Sequence, residues 1–337
     1  MIAVRAAALL LLLLSGVYAA PAHAARTAEP VTRVPLPTNL TFDPAGGLWV
    51  TSGAGGPVAS DGVWYVPPGG RTARHVVRGL HTALGLTWVG GRLYVASART
   101  RRLGQVTVLS GFDGARFATR RRLLGALPIG LHTLDSIVPG PDGRLYLGIG
   151  SEFDDRASVR RPSAAVVSFT PAGTDLRVVA RGLRNPYGLA FVPGSSRLLV
   201  TDNGRDDLGA FRPPDELNVI DTAAPARDFG FPRCHGQGGA ACAGTVGPLA
   251  RMPAHASAVG VAVDAAGRYA YVAQNGSSFA ANPTGRDVQR VELATGRRVR
   301  WAGPFARNDP LGAAFGPGGR LYVTLFASGR VVRYRTG

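Results

Sequence analysis

SIVPGPDGRLYLGIG (residues 136–150) carries the pattern that decides the fold of this chain. An apolar run leads into a Gly-Pro-Asp-Gly turn, and a second apolar run follows and ends in small residues. Apolar runs of this kind, bounded by Gly, Pro and Asp, are typical of two antiparallel strands joined by a short connection. The stretch therefore predicts a β-hairpin.

The same pattern recurs along the chain. Five further copies are NLTFDPAGGLWVTS (39–52), GLTWVGGRLYVAS (85–97), GLAFVPGSSRLLVTDNG (188–204), GVAVDAAGRYAYVAQNG (260–276) and GAAFGPGGRLYVTLFASG (312–329). The copies begin roughly 45 to 55 residues apart, with one longer interval before the fifth, and repeats of that length with about four strands each are typical of propeller blades. Because helical periodicity is nearly absent, the sequence predicts an all-β, six-bladed β-propeller.

The two ends of the chain are expected to close the propeller. Residues 31–36 read as a strand that can pair beside residues 331–335 in one shared blade. No internal boundary interrupts the repeats. We therefore expect residues 25–337 to form one propeller domain.

The first 24 residues have the three parts of a secretory signal peptide. Arg5 precedes an apolar core at residues 6–14, and the segment ends in the small-residue sequence Ala22-His23-Ala24. A retained membrane anchor is the alternative, but the apolar run is shorter than the roughly 20 residues that a spanning helix needs. We expect cleavage after Ala24 and a secreted or extracytoplasmic protein without a transmembrane segment in the mature chain.

The only two cysteines, Cys234 and Cys242, flank a Gly-rich stretch. An exported protein enters an oxidising compartment, so the spacing predicts a local disulfide. A metal site formed by Cys234, His235 and Cys242 is the alternative, although structural zinc usually has four ligands. Residues 236–247 are expected to form a loop.

The formal net charge of +17 comes from arginine alone, because the chain contains no lysine. The complete absence of lysine indicates a compositional bias, which weakens the charge as a sign of nucleic-acid binding. No basic strip interleaved with aromatic residues is present either. We expect no nucleic-acid partner, and the charge favours an acidic ligand.

Polar residues cluster where each repeat begins and ends its hairpin. In a propeller, the residues before the first strand and after the second strand of each hairpin share one face of the disc. The residues before the first strands include His81, His132, Arg184, Asn185, His255, Arg307, Asn308 and Asp309, and those after the second strands include Ser151, Glu152, Asp154, Asp155, Asp202, Asn203, Asp206 and Asp207. Imidazole, guanidinium and carboxylate groups at one mouth are suited to proton or hydride transfer, to metal-assisted hydrolysis or to ligand binding.

Four motifs give the chain a resemblance to a known family. They are HTLDSIVPGPDGRLYLGIG (132–150), GLRNPYGLAF (182–191), DNG (202–204) followed by PDELNVI (214–220), and DFGFP (228–232). In this order they resemble the soluble quinoprotein glucose/sorbosone dehydrogenases. Members of that family are six-bladed propellers that use pyrroloquinoline quinone (PQQ) and calcium.

The resemblance implies a role for particular residues. His132 stands where the family has its general base. Gly204 and Arg205 stand where two main-chain carbonyls hold the calcium ion. The residues implied to face the cofactor are Arg184, Asn185, Asn203, Arg307 and His81.

The resemblance also implies an activity. The chain is expected to oxidise a sugar or a sugar aldehyde by hydride transfer to the quinone, and to pass electrons to an external acceptor that the sequence does not identify. Ser151 stands where glucose-oxidising members have an Asp that orients the base, which leaves Asp154 or Asp155 for that task and favours the sorbosone branch. A calcium-dependent hydrolase or lactonase and a non-catalytic binding propeller are the alternatives.

Overall fold

The computed structural model describes residues 26–53, 57–236, 238–306 and 308–336. These residues contain twenty-five β-strands and two short 3-10 segments, Ala240–Cys242 and Pro317–Gly319, but no α-helix. In this described part of the chain, no helix is long and apolar enough to cross a bilayer. The predicted signal peptide, residues 1–24, lies outside it.

The strands form six sheets arranged as propeller blades, which confirms the predicted fold; neighbouring strands are antiparallel except for one short pair in blade three. From the axis outward, blade one consists of β2 (Pro37–Phe42), β3 (Leu48–Ser52), β4 (Gly62–Val66) and β5 (Arg74–Arg78). Blade two consists of β6 (His81–Val89), β7 (Arg92–Ala98), β8 (Leu103–Phe112) and β9 (Phe117–Pro128). Blade three consists of β10 (Leu134–Pro139), β11 (Leu145–Ile149), β12 (Ala165–Phe169), β13 (Arg177–Arg181) and β17 (Arg227–Asp228).

The other three blades follow the same order. Blade four is β14 (Pro186–Phe191), β15 (Arg197–Asp202), β16 (Pro214–Asp221) and β18 (Ala250–Ala254); blade five is β19 (Ala258–Val263), β20 (Tyr269–Gln274), β21 (Asp287–Glu292) and β22 (Arg298–Ala302); blade six is β23 (Pro310–Gly316), β24 (Arg320–Leu325), β25 (Arg330–Tyr334) and β1 (Glu29–Arg33).

Blade six contains both ends of the described chain. Strand β1 pairs antiparallel with β25, so the predicted closure is confirmed. The first strand ends at Arg33, earlier than predicted, because Pro35 cannot donate to a ladder and Leu36 has a φ of 45°. The carboxylate of Glu29 accepts hydrogen bonds from Arg320 at 2.7 Å and Arg333 at 3.0 Å, which fastens the outer strand to the blade.

Glycines on the inner strands let neighbouring blades approach closely. A Cβ on Gly85 would lie 2.2 Å from the carbonyl oxygen of Asp135 in the next blade, and a Cβ on Gly188 would lie 2.2 Å from that of Val259. The same kind of contact occurs at two further boundaries, through Gly260 and Gly312. These residues are the glycines that open the repeated motif, so the recurring Gly is explained by packing around the axis.

The described core contains seven apolar clusters. Six of them lie one at each boundary between blades, and the seventh joins Tyr187, Val259 and Leu311 of blades four, five and six. Trp49 and Leu93 belong to the cluster between blades one and two, and Leu134 and Tyr146 are buried in the clusters on either side of blade three. Apolar residues that alternate along the strands therefore face the adjacent blade. This packing fixes the blades relative to one another.

The connection between β16 and β18 was only partly predicted. Its strand β17 joins blade three, where it pairs in parallel with β13. This fifth strand was not predicted. Cys234 and Cys242 form a disulfide in the same connection. The predicted disulfide is therefore confirmed, and the thiolates that the alternative metal site would need are not available.

Candidate active site

One face of the disc collects the residues before each inner strand and after each second strand, as predicted; this face is called the mouth below. The main chain joins these segments across blades. The amide of His132 donates to the carbonyl of Ser151 at 3.1 Å, and the amide of Ser151 donates to the carbonyl of Arg184 at 2.8 Å. The segments that carry His132 and Arg184 are therefore linked through a single residue.

His132 lies on the segment that leads into β10. Its Nε2 atom is buried and has no hydrogen-bond partner among the described residues. Burial, with a smaller contribution from the positive charge of Arg184, lowers the pKa of His132 to about 3. The imidazole is therefore neutral at physiological pH and has an unused nitrogen. Gly150 makes room for it, since a Cβ there would lie 2.2 Å from the His132 Cβ.

No described carboxylate orients this histidine. The hydroxyl of Ser151 donates to the carbonyl of Phe153 at 2.6 Å rather than to His132. Asp154 pairs with Arg184, and Asp155 pairs with Arg156 at 3.1 Å. The suggestion that Asp154 or Asp155 orients His132 is therefore wrong for this structure.

Arg184, Asn185 and Asn203 lie together at the edge of blade four. The Arg184 guanidinium donates to the carbonyl of Asn203 at 3.1 Å and to the carboxylate of Asp154. The side-chain Nδ2 of Asn185 donates to the side-chain oxygen of Asn203 at 3.0 Å. The side-chain Nδ2 of Asn203 donates to the backbone carbonyl of Ala258 at 2.6 Å. Three of the residues implied to face a cofactor are thus in one hydrogen-bonded group.

A buried carboxylate supports this group from below. Asp202 accepts the backbone N–H of Arg184 at 3.0 Å and that of Asn185 at 2.6 Å. Burial, with the neighbouring charge of Glu216, raises the pKa of Asp202 to about 7. In the sequence, Asp202 is one of the polar residues at the end of a second strand, and its support of Arg184 and Asn185 was not predicted. The signal was available, because Asp202 ends a strand beside the Pro-Asp-Glu segment at residues 214–216.

Gly204 and Arg205 lie just beyond β15, with Asn203 between them and the strand. The N–H of Gly204 donates to the carboxylate of Asp215 at 2.8 Å, and the Arg205 guanidinium pairs with Asp207. No described residue donates a hydrogen bond to the carbonyl oxygen of Gly204 or Arg205. Carbonyl oxygens of this kind are suitable ligands for a hard cation. The described residues contain no group of three or more His, Cys, Asp or Glu side chains that could hold a metal alone.

The other two histidines of the repeat pattern differ in their surroundings. His255 uses both ring nitrogens, with Asp206 at 3.1 Å and the carbonyl of Gly209 at 2.7 Å, so it is a structural residue. His81 contacts the buried Asp61 and lines a separate cleft, which is also lined by Thr133. Arg307 lies outside the described residues.

The space beside Arg184 is small. A cavity of about 20 Å³ is lined by Arg184, Asn203, Gly204, Glu216 and His235, among others. That volume accommodates roughly one water molecule. All three side-chain nitrogens of Arg184 already donate to Asp154 or Asn203, so an anionic ligand that pairs with Arg184 must compete with these acceptors.

Comparison with known protein families finds no match. Among curated proteins, an uncharacterized protein of Borreliella burgdorferi is 25% identical over 209 residues, which make up 60% of this chain and 52% of that protein. The match therefore spans about half the length of the curated relative. It carries no functional information.

Solved structures resemble the propeller over almost its full length. An enzyme of carbohydrate-active family AA12 from Trichoderma reesei has a TM-score of 0.76 at 19% identity, covering 94% of this chain and 97% of that one. The holo PQQ domain of pyranose dehydrogenase from Coprinopsis cinerea has a TM-score of 0.72 at 18% identity, covering 91% and 95%. The soluble aldose sugar dehydrogenase of Escherichia coli has a TM-score of 0.67 at 15% identity, covering 91% and 98%.

At these identities the similarity establishes the fold. The chain is a six-bladed β-propeller of the kind found in PQQ-dependent sugar dehydrogenases. These are the proteins that the sequence motifs indicated.

Proposed function

We propose that the protein is a PQQ- and calcium-dependent dehydrogenase that oxidises a sugar or a sugar aldehyde, with His132 as the general base. The proposal is carried by one observation: a neutral imidazole with an unpartnered Nε2 lies at the same mouth as the Arg184, Asn185 and Asn203 group. The similarity to the folds of an aldose sugar dehydrogenase and a PQQ domain supports the same class.

The donor groups at the mouth fit such a cofactor. PQQ has three carboxylates, and guanidinium groups bind carboxylates in a bidentate way. Arg184 already binds one carboxylate, that of Asp154, and a ligand carboxylate would take its place. Asn185 and Asn203 would lie beside the ligand, and the carbonyl oxygens of Gly204 and Arg205 would bind calcium together with oxygens of the ligand. When bound, the quinone supplies the two-electron oxidant of the reaction.

His132 would receive the proton of the substrate hydroxyl at Nε2. A base must be unprotonated and within hydrogen-bond reach of its proton, and the low pKa keeps His132 unprotonated across the physiological range. Part of that lowering comes from the charge of Arg184. A ligand with three carboxylates brings more negative charge to Arg184 than the single carboxylate of Asp154 does, so we expect His132 to become a stronger base when the site is filled.

Residues 1–24 are proposed to direct export and residues 25–337 to form the mature enzyme. The disulfide between Cys234 and Cys242 is in keeping with an oxidising compartment. Electrons would leave the enzyme through an external acceptor.

The test uses residues 25–337 with calcium. PQQ is titrated by fluorescence, and dye reduction is then followed with a panel of neutral aldoses and sugar aldehydes. We expect saturable PQQ binding and turnover of at least one sugar. His132→Ala should remove turnover and keep PQQ affinity, whereas His75→Gln, on the outer strand of blade one, should change neither.

Failure to bind micromolar PQQ in the presence of calcium would overturn the proposal. The same protein would then be assayed for calcium-dependent cleavage of lactones and aryl esters. Cleavage would support the hydrolase alternative, and its absence would support a binding propeller.

A further inference from the structure

A large cleft opens at the mouth beside the proposed base. It has a volume of about 640 Å³ and lies where the loop between β7 and β8 faces the segment that leads into β10. Thr133, the residue after His132, lines its wall. Small-molecule sites commonly have volumes of about 300–1,000 Å³, so the cleft has room for a monosaccharide.

The described lining of this cleft is basic and contains no acidic residue. Its charged or titratable side chains are Arg99, Arg101 and His81. Neither guanidinium forms an ion pair with a described carboxylate, and Arg99 donates only to the carbonyl of Gly125 at 3.2 Å. Unpaired arginines are common in a chain with a net charge of +17, but here two of them converge on a concave site.

The turn that carries both arginines is held by hydrogen bonds. Thr100 closes it, because its hydroxyl oxygen accepts the N–H groups of Arg102 at 3.2 Å and Leu103 at 3.0 Å. The N–H of Arg99 donates to the carbonyl of Leu103 at 2.8 Å. The main chain beneath the two guanidiniums is therefore fixed before any ligand arrives.

His81 is held in place beside the arginine turn, where it pairs with Ala98 across β6 and β7. Its Nδ1 donates to the carboxylate of Asp61 at 2.8 Å, and that carboxylate is 1% exposed. Asp61 contacts only Nδ1 of His81, so Nε2 is the other ring nitrogen. Nearby, the hydroxyl oxygen of Thr133 is buried without a partner among the described residues. This oxygen lies behind the surface of the cleft, where a water molecule or a small movement of the wall would satisfy it.

We propose that this cleft binds the carboxylate of an acidic sugar, such as a hexuronate, and places its reacting carbon toward His132. The inference rests on the proposed function and names its substrate class. Arg99 and Arg101 would pair with the carboxylate, His81 would contact sugar hydroxyls, and the exposed Leu131 would pack on the apolar face of the ring. His81 would then contact the substrate, although the family resemblance suggested the cofactor.

The test measures sugar binding to cofactor-free residues 25–337 by calorimetry. The probes are glucuronate, glucose and glucose 6-phosphate. Charge-assisted hydrogen bonds predict that glucuronate binds roughly tenfold or more tightly than glucose. The double substitution Arg99→Gln/Arg101→Gln should remove that preference. The control Arg92→Gln/Arg116→Gln removes the same charge from turns on the opposite face of blade two and should leave it intact.

Two results would overturn the inference: equal affinity for glucuronate and glucose, or an unchanged preference in the Arg99→Gln/Arg101→Gln protein. Tighter binding of glucose 6-phosphate than of glucuronate would overturn the assignment of a carboxylate. Selective binding of glucuronate without dye reduction in the PQQ-loaded protein would support the cleft while contradicting the dehydrogenase. The two proposals can therefore fail separately.

Discussion

The guanidinium of Arg184 donates a hydrogen bond to the carboxylate of Asp154, and the Arg184 side chain is only 5% exposed. Asp154 belongs to the long segment between β11 and β12, whereas Arg184 leads into β14. The pair therefore joins blades three and four at the mouth. A ligand carboxylate that binds Arg184 must compete with an internal carboxylate at the same guanidinium.

Asp154→Asn is expected to strengthen PQQ binding about tenfold. The substitution removes the competing charge, and hydrogen bonds to charged groups contribute about 1.5–3 kcal/mol. The dissociation constant is measured by PQQ fluorescence with calcium present. Asp155→Asn is the matched control, because that residue belongs to the same segment and pairs with the exposed Arg156. Weaker binding by Asp154→Asn would show that Asp154 supports the site rather than competes for it.

His132 is expected to remain neutral between pH 5 and 8 in the ligand-free protein. Burial lowers its pKa to about 3, so the ring should not titrate in that range. Nitrogen NMR of the histidine side chains, assigned through His132→Gln, measures this directly. An anionic ligand on Arg184 should raise the pKa of His132. A ring that titrates near pH 6.5 without ligand would contradict the burial that the structure shows.

The same pKa has a consequence for stability. Because the folded pKa is depressed, the unfolded chain binds a proton below about pH 6.5 that the folded chain does not bind. The contribution of His132 to the free energy of unfolding is therefore lost as pH falls from about 6.5 toward 3. His132→Gln should be less sensitive to acid than wild type over this range, as measured by urea unfolding.

The repeated hairpins allowed the fold to be predicted because contacts between blades require the same residue type at the same place in four of the six copies. The glycine that opens the copies at residues 85, 188, 260 and 312 is required by the neighbouring blade, so it recurs at the same place. The fifth strand of blade three could not be predicted in this way. It has two residues and pairs with a strand from another repeat, so no periodic signal marks it.

The site was predicted in part. His132, Arg184, Asn185 and Asn203 share the mouth because the hairpin ends lie on one face. The sequence could not show that Asp154 pairs with Arg184, or that Asp202 accepts two main-chain N–H groups. Both contacts depend on how loops fold back, and turn-forming residue types look alike whether or not they make such contacts.

Loss of the disulfide is expected to lower stability by about 2–3 kcal/mol, since it closes a short loop between residues 234 and 242. Cys234→Ser/Cys242→Ser is compared with wild type by denaturant unfolding. Wild type in excess reductant serves as the control and should match the double variant. Cys234 also lines the cavity beside Arg184, so PQQ affinity should fall as well. An unchanged unfolding midpoint would mean that the loop is already constrained by β17.

Asp202 and Glu216 stand opposite each other on β15 and β16, and both carboxylates are buried. Burial raises the pKa of Asp202 to about 7 and that of Glu216 to about 7, with a further contribution from a neighbouring acid in each case. In the folded protein these groups hold protons that the unfolded chain releases above about pH 4. These two groups therefore make the free energy of unfolding fall as pH rises, whereas a carboxylate in an ion pair makes it rise.

We expect the stability difference between wild type and Asp202→Asn to decrease as pH rises from 4 to 7. Because the pKa of Asp202 is raised in the folded state, the folded protein binds more protons than the unfolded chain between pH 4 and 7. The contribution of Asp202 to the free energy of unfolding therefore declines as pH rises and becomes constant above about pH 7. Urea unfolding of both proteins at half-unit steps measures the difference. Asp221→Asn is the control, because hydrogen bonds lower the pKa of Asp221 and confine its effect to more acidic pH. A difference for Asp202→Asn that is constant from pH 4 to 7 would mean that this carboxylate is ionised beneath Arg184 and Asn185 throughout, and that its charge helps to hold both residues.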